Sequence, residues 1–400
     1  MKLAPAVRYL RDYVAIPSVN PMRRDDIEPS IAGEARYAEH LHEQLRRLGL
    51  DAELTDPGER PSVIAEATAA GATETLLVAS HLDTVPVDGM EIDPFDPHIE
   101  GGRLYGRGSC DTKGGMAALV AALEGVLARG TLRRNLLVVG ESDEELGSIG
   151  ARAIVAHLAE RLPGAGGGVS PAASKRGPRV SWAIATEPTD LRVVTCHRGV
   201  IHAKLCASGV AGHSSDPSIG RNAIVALARA TLALDELGDA LGEHRDPTLG
   251  PATLSVGLVE GGSAVNVIPA RASLTLDRRT LPGESAESVR SEIEARLEHA
   301  GIGHVEVEWC RVEKGALATP DAHPAVTTCQ RAVAGAGLPT QTTAAPFATD
   351  GGVFEGAGLP SIVIGPGSVL QAHTPREWVE VRQVETMADI FAHILEEVPE

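Results

Sequence analysis

A chain of 400 residues, 43% hydrophobic and 22% charged, is globular and too long for one ordinary core, so a large domain plus a smaller one is expected. A formal net charge of −18 argues against nucleic acid and anionic membrane surfaces as partners, and no apolar run approaches the roughly 18 residues that span a bilayer. The five cysteines, Cys110, Cys196, Cys206, Cys310 and Cys329, are widely spaced with no CxxC pair, which fits reduced thiols in a cytoplasmic protein better than a disulfide framework.

The opening MKLAPAVRYLRDYVAIPSVN carries Arg8, Arg11 and Asp12 where a signal peptide needs unbroken apolar side chains, and reads as an amphipathic helix ending before Pro17. Helical patterns follow over 31–48, 114–129, 148–161 and 325–334, and the clearest strands are 75–80, 135–140, 181–185 and 361–364. This alternation predicts an α/β fold with a mixed, mostly parallel sheet and helices on both faces. The segment 163–179, PGAGGGVSPAASKRGPR, is low in complexity; it lacks the Lys-Ser/Thr pair of a phosphate loop and reads as a surface loop. Between 199 and 312 the order is strand 200–207, helix 221–237, strand 252–259, strand 272–279, helix 285–299, strand 304–310. That β-α-β-β-α-β order is the ferredoxin-like split unit, expected as a domain inserted between 1–198 and 313–400.

Polar residues gather where the strands end. In an open α/β sheet, function collects beyond the carboxyl ends of the strands. TLLVAS runs into His81 and Asp83; NLLVVG into Glu141, Asp143, Glu144 and Glu145; SWAIA into Glu187; SIVI leads to GPGS and then His373. Asp111 lies in the glycine-bounded turn GRGSCDTKGG just before a helix. Singly, each has a bland reading as a surface histidine, a solvated acidic turn or a helix cap. Together they form a cluster of like charges that needs a cation, and two divalent ions would neutralise it. Mixed His/carboxylate ligation at a hydrolytic site points to Zn2+, with Co2+ or Mn2+ as substitutes. Residues two apart in an extended segment face the same way, so Asp83 can hold the His81 ring. Of the pair Glu144-Glu145, one can bind metal while its neighbour takes a proton. Cys110 and Ser109 have no His placed as a base, which disfavours a nucleophilic mechanism.

The ordered set HLDTVP, GRGSCDTKGG, DEELGS, ATEPT, GHSSDP and GPGS…AH resembles the di-zinc metallohydrolase family that includes acetylornithine deacetylase, succinyl-diaminopimelate desuccinylase, aminoacylase and carboxypeptidase G. The resemblance spans essentially the whole chain. It implies a zinc-exopeptidase-like catalytic domain with His81, Glu145, Glu187 and His373 as terminal ligands and Asp111 bridging two ions. It also implies Asp83 orienting His81, Glu144 as general base, and an inserted domain that serves as lid and homodimer contact. His213 in GHSSDP would then reach the partner's active site, Asn266 and Arg279 would grip a substrate carboxylate, and Gly367 would line the same pocket. GHSSDPSIGRNAI, TAAPFATDGG and GPGSVLQAHTPREWVEV are most similar to the acetylornithine deacetylase branch, which implies an N-acyl amino acid as substrate, N2-acetyl-L-ornithine first. A succinyl-diaminopimelate desuccinylase or another amidohydrolase or carboxypeptidase of the family is the alternative. That branch typically carries Asp-x-Arg-Pro-Leu-Pro-Gly, where this chain has Arg278 and Thr280 at two positions. A metal-binding module without catalysis has no need of Glu144, and a nucleotide-binding protein would show a GxGxxG or phosphate-loop context.

Overall fold

The computed structural model describes residues 3–55, 60–163 and 178–398, so nearly all of the 163–179 loop lies outside the described residues. Two compact units divide the chain: His197–Leu317 with Pro346–Ala348 form one, and the remaining described residues the other.

The larger unit is built on a nine-stranded sheet. Its four central strands, in the order Asn135–Glu141, Glu74–His81, Arg179–Ala185 and Ser361–Val363, are parallel. The flanks are antiparallel: Ser62–Ala67 lies against Asn135–Glu141, Asp51–Thr55 against Ser62–Ala67, and Val363 pairs with Val194 on the other side. The sheet is therefore mixed, with its parallel part at the centre. Parallel strands are covered on both faces and read as unbroken apolar runs, as LLVAS and LLVVG do. Alternation divides each run between two cores. Leu76, Val78, Leu136 and Val138 pack with the helices Pro5–Val14, Ala35–Arg47, Lys113–Arg129, Pro324–Gly335 and Val381–Glu396. Leu77, Ala79, Leu137 and Val139 face Ile149–His157 and Gly351–Gly356. The opening helix ends at Val14, as Pro17 requires. None of the described helices is long and apolar enough to cross a membrane.

The central helix Lys113–Arg129 sits unusually close to the sheet. A Cβ on Gly115 would lie 2.4 Å from Thr186 Oγ1, so only glycine permits this approach. The helix is thereby held against the end of the Arg179–Ala185 strand, with the Asp111 turn at its start. Because the four central strands run the same way, His81, Glu141 and the residues after Ala185 and Val363 all lie at one edge of the sheet.

The smaller unit has a four-stranded antiparallel sheet in the order Thr253–Gly261, Arg271–Thr280, Gly199–Ser208, Val305–Lys314. The helices Ala223–Glu243 and Ala286–His299 complete the β-α-β-β-α-β order. Ile201, Ala203, Leu205 and Ala207 alternate inward with Leu274 and Leu276 to meet Leu227, Leu234, Val289 and Ile293. Asn222 and Ser285 cap the two helices through their side chains. The last strand runs past 312 and stays paired as far as Lys314 opposite Val200. Arg278 and Arg279 fall on opposite faces of their strand. Arg278 is fully buried, with Nη2 2.6 Å from Glu284 and 3.3 Å from Glu292, so its place in this chain is structural.

Candidate metal centre

At the carboxyl edge of the large sheet, His81, Asp111, Glu145 and His373 are in direct contact. His81 Nε2 lies 2.9 Å from Asp111 Oδ1, and His373 Nε2 lies 3.3 Å from Asp111 Oδ2 and 3.2 Å from Glu145 Oε1. Asp111 thus offers one oxygen to each imidazole. Among the described residues, ligand atoms of His81, Asp111 and Glu145 all fall within 4.8 Å of one another, as the donors of a metal site would. Glu187 is buried beyond the neighbouring strand end, and its charge helps hold the proton on His81.

The electrostatics show how much negative charge converges here. Burial alone would strip His81 of its proton, but hydrogen bonds to Asp111 and Asp83 outweigh it and raise its pKa well above the usual imidazole range. The Asp111 and Glu145 hydrogen bonds push His373 up to about 10. Burial and then the Asp111 charge raise Glu145 to about 7. Burial opposes ionisation of Asp111 as well, yet the two histidines hold it below the ordinary carboxylate range. Buried and half-buried carboxylates converging on two imidazoles call for cations, and the nitrogen/oxygen donor set fits divalent zinc, cobalt or manganese.

Asp83 has more than one task. His81 Nδ1 lies 2.9 Å from the Asp83 backbone carbonyl and 3.5 Å from its Oδ1, so the expected carboxylate–imidazole contact is the longer of the two. The carboxylate instead accepts the backbone N–H groups of Glu144 and Glu145, each at 3.1 Å. This places Glu144, buried, beside the candidate ligand Glu145. Glu141 lies opposite His81 in the parallel ladder and is buried; burial, then the Asp350 charge, push its carboxyl well above the usual range.

Gly367 has φ +90°, and a Cβ there would lie 2.5 Å from Cys110 Sγ. That brings the GPGS backbone against the residue preceding Asp111. The Cys110 thiol donates to the Ser368 carbonyl at 3.3 Å and is pushed well above its usual pKa by burial, which suits packing and not nucleophilic attack. His213, Asn266 and Arg279 belong to the smaller unit. His213 is exposed, with Nδ1 2.7 Å from Ser215 Oγ; the Asn266 carbonyl accepts the Ser214 N–H at 3.2 Å; Arg279 Nε donates to Asp277 Oδ1 at 2.8 Å.

Sequence reasoning missed Glu377. It is fully buried, and its Oε1 accepts the N–H groups of Cys110 at 2.9 Å and Asp111 at 3.0 Å, while Arg107 Nη1 donates to its Oε2 at 2.5 Å. An ion pair beneath the turn therefore fixes the backbone that aims Asp111. The only hint in the sequence is its place four residues after His373. Lys113 was also passed over: buried, and lowered to about 7 by that burial, it donates to the carbonyls of Tyr13 and Ile16.

Comparison with known proteins places the chain. It is 29% identical to an acetylornithine deacetylase from Proteus mirabilis (strain HI4320), over 99% of this chain and 97% of the relative. Its fold is that of a family M20 metallo-carboxypeptidase from Sulfolobus solfataricus, with TM-score 0.75 and 20% identity over 98% of both chains. A Bacillus subtilis protein described as a dinuclear metal binding peptidase from the M20 family also matches, with TM-score 0.65 and 15% identity over 98% of this chain and 96% of that one. Residues 77–397 match the family described as Peptidase family M20/M25/M40, which takes in every candidate ligand above. The chain belongs to peptidase family M20/M25/M40 and is a metal-dependent hydrolase.

Proposed function

We propose that the protein is a di-zinc amidohydrolase that removes the acyl group from an N-acyl amino acid, with N2-acetyl-L-ornithine as preferred substrate and L-ornithine and acetate as products. The observation that carries the hydrolytic reading is Asp111, shared between His81 and His373, with Glu144 next to the ligand Glu145. Asp111, Glu187 and His81 would hold one ion, and Asp111, Glu145 and His373 the other. A pair of divalent ions bound there supplies Lewis acidity and makes a water acidic enough to attack near neutral pH. Glu144 takes the proton from the attacking water and passes it to the departing amine. Asp83 holds both the His81 ring and the backbone of the glutamate pair. Asn266 and Arg279 hold the substrate carboxylate, Arg279 in a bidentate grip with its guanidinium steadied by Asp277, and Gly367 lines the pocket. The acetyl-ornithine preference is supported by the likeness to an acetylornithine deacetylase along nearly the whole chain.

We propose further that it works as a homodimer joined through the smaller unit, so that the partner subunit's His213 supplies a hydrogen bond to the developing oxyanion. The support is an open edge strand, Thr253–Gly261, with Leu258 and Val259 exposed, and Leu232 exposed on the helix Ala223–Glu243. Unpaired apolar edges of this kind are liabilities unless another chain covers them.

The test is kcat/KM on N2-acetyl-L-ornithine, N-succinyl-diaminopimelate, N-acetyl-methionine and a carboxyl-terminal glutamate dipeptide, with Zn2+ added and after exhaustive chelation. The highest value is expected for acetyl-ornithine, with loss on chelation and recovery with zinc. A preference for the succinyl or peptide substrate moves the protein to another branch, and activity indifferent to chelation removes the metal reading.

A further inference from the structure

Glu144 and Glu145 sit in the connection between the Asn135–Glu141 strand and the Ile149–His157 helix, and connections are mobile unless something ties them down. Here four consecutive backbone N–H groups are accepted by side chains from distant parts of the chain. Ser142 donates to Ser62 Oγ at 3.1 Å, Asp143 to Glu34 Oε1 at 3.2 Å, and Glu144 and Glu145 to the two oxygens of Asp83, each at 3.1 Å. Asp143, with φ +63°, has its own carboxylate held by two donors: its Oδ1 accepts from Asn20 Nδ2 at 3.0 Å and from Arg60 Nη1. The Asn20 amide also reaches Asp83 Oδ2 at 2.7 Å. Glu34, Asp83 and Asp143 are all buried, and converging buried carboxylates cost energy unless a cation sits among them. Arg60 does so. Its Nε donates to Glu34 Oε2 at 3.1 Å, its Nη2 to Glu34 Oε1, and its Nη1 to Asp143.

We propose that Arg60 is a positioning residue for the hydrolytic site. It clamps Glu34 to Asp143 and, through Asn20 and Asp83, sets the 142–145 backbone that aims both the base and a metal ligand. The proposal rests on the roles given to Glu144 and Glu145 above. The planar fork matters because one arm must reach Asp143 while the other grips Glu34, and an ammonium is a single point of charge.

The experiment compares the full-length protein with Arg60→Met, Arg60→Lys, Asn20→Ala and Arg161→Met. The last breaks a partly buried pair with Glu66 that belongs to the same unit and has no part in this network. Three quantities are read: amide hydrogen exchange across 142–145, zinc retained against a weak chelator, and kcat with KM. Arg60→Met should speed exchange across 142–145, loosen zinc and lower kcat, each by about tenfold or more, with KM changed by less than about threefold. Arg60→Lys should recover part of this. Arg161→Met should lower the melting temperature without any of these effects. If Arg60→Met does not fold, Asn20→Ala carries the same expectation. Unchanged exchange across 142–145 in the variant that folds, or an equal change in Arg161→Met, overturns the proposal. If the wild type hydrolyses no N-acyl amino acid, the functional reading fails by itself, and exchange and zinc retention still decide the role of Arg60.

Discussion

Glu144 and Glu145 are adjacent in the chain, share one acceptor through their N–H groups, and are assigned opposite tasks. Glutamine keeps the shape of each but can neither accept a proton nor bind a cation as an anion. Glu144→Gln should cut turnover by at least about 10²-fold with metal content unchanged. Glu145→Gln should loosen the metal, because it removes a proposed ligand, one that His373 Nε2 approaches at 3.2 Å. Metal analysis beside steady-state kinetics checks both, and the reverse pattern would exchange the two roles. The pair itself was legible in the sequence, since DEELGS follows a strand. Its supports were not. Ser62, Glu34, Asn20 and Arg60 lie between 63 and 123 residues from the partners they hold, with the exception of Glu34 and Arg60, 26 apart, and no local pattern marks a side chain whose function is to accept a distant backbone N–H.

At the scale of elements, the helix Lys113–Arg129 and the Arg179–Ala185 strand decide where Asp111 sits. Replacing a helical glycine by alanine ordinarily stabilises by up to about 1 kcal/mol. At Gly115 the new methyl would lie 2.4 Å from Thr186 Oγ1 and 2.5 Å from its Cβ, in the buried seam between helix and sheet. Overpacking of this kind costs about 1–3 kcal/mol, so the clash outweighs the propensity gain. Gly115→Ala should lower the melting temperature and weaken metal retention together, as the displaced helix carries the Asp111 turn with it. A melting temperature equal to or above that of the wild type would show that the helix can back away. Element types were readable because buried parallel strands leave unbroken apolar runs and amphipathic helices leave a 3.6-residue period. The strands Asp51–Thr55 and Ser62–Ala67 escaped notice because DAELT and SVIAEA are short and only partly apolar, and the pairing of Ser62–Ala67 with Asn135–Glu141 is a long-range contact.

At the scale of the whole molecule, every proposed ligand and Glu144 belong to one compact unit, and His213 to the other. If the site is completed across a dimer, two inactive variants should restore each other. When Glu144→Ala and His213→Ala chains are refolded together, about half of the dimers are mixed under random pairing, and in each of these one site has both groups intact. About a quarter of the wild-type activity should return. No recovery, with mixed dimers shown by mass spectrometry, would place His213 in its own chain's site.

Chain order alone carried the α/β class, the β-α-β-β-α-β insert and the list of acidic and imidazole groups at strand ends, because each follows from local periodicity and from what comes directly after a strand. It could not say that Asp83 spends its carboxylate on two backbone N–H groups, that burial pushes the Glu141 carboxyl well above the usual range, or that Glu377 with Arg107 and Glu34 with Arg60 hold the Asp111 turn and the glutamate pair in place. Those facts depend on burial and on contacts between residues far apart in the chain, and both come into being only when the sheet closes over its two cores.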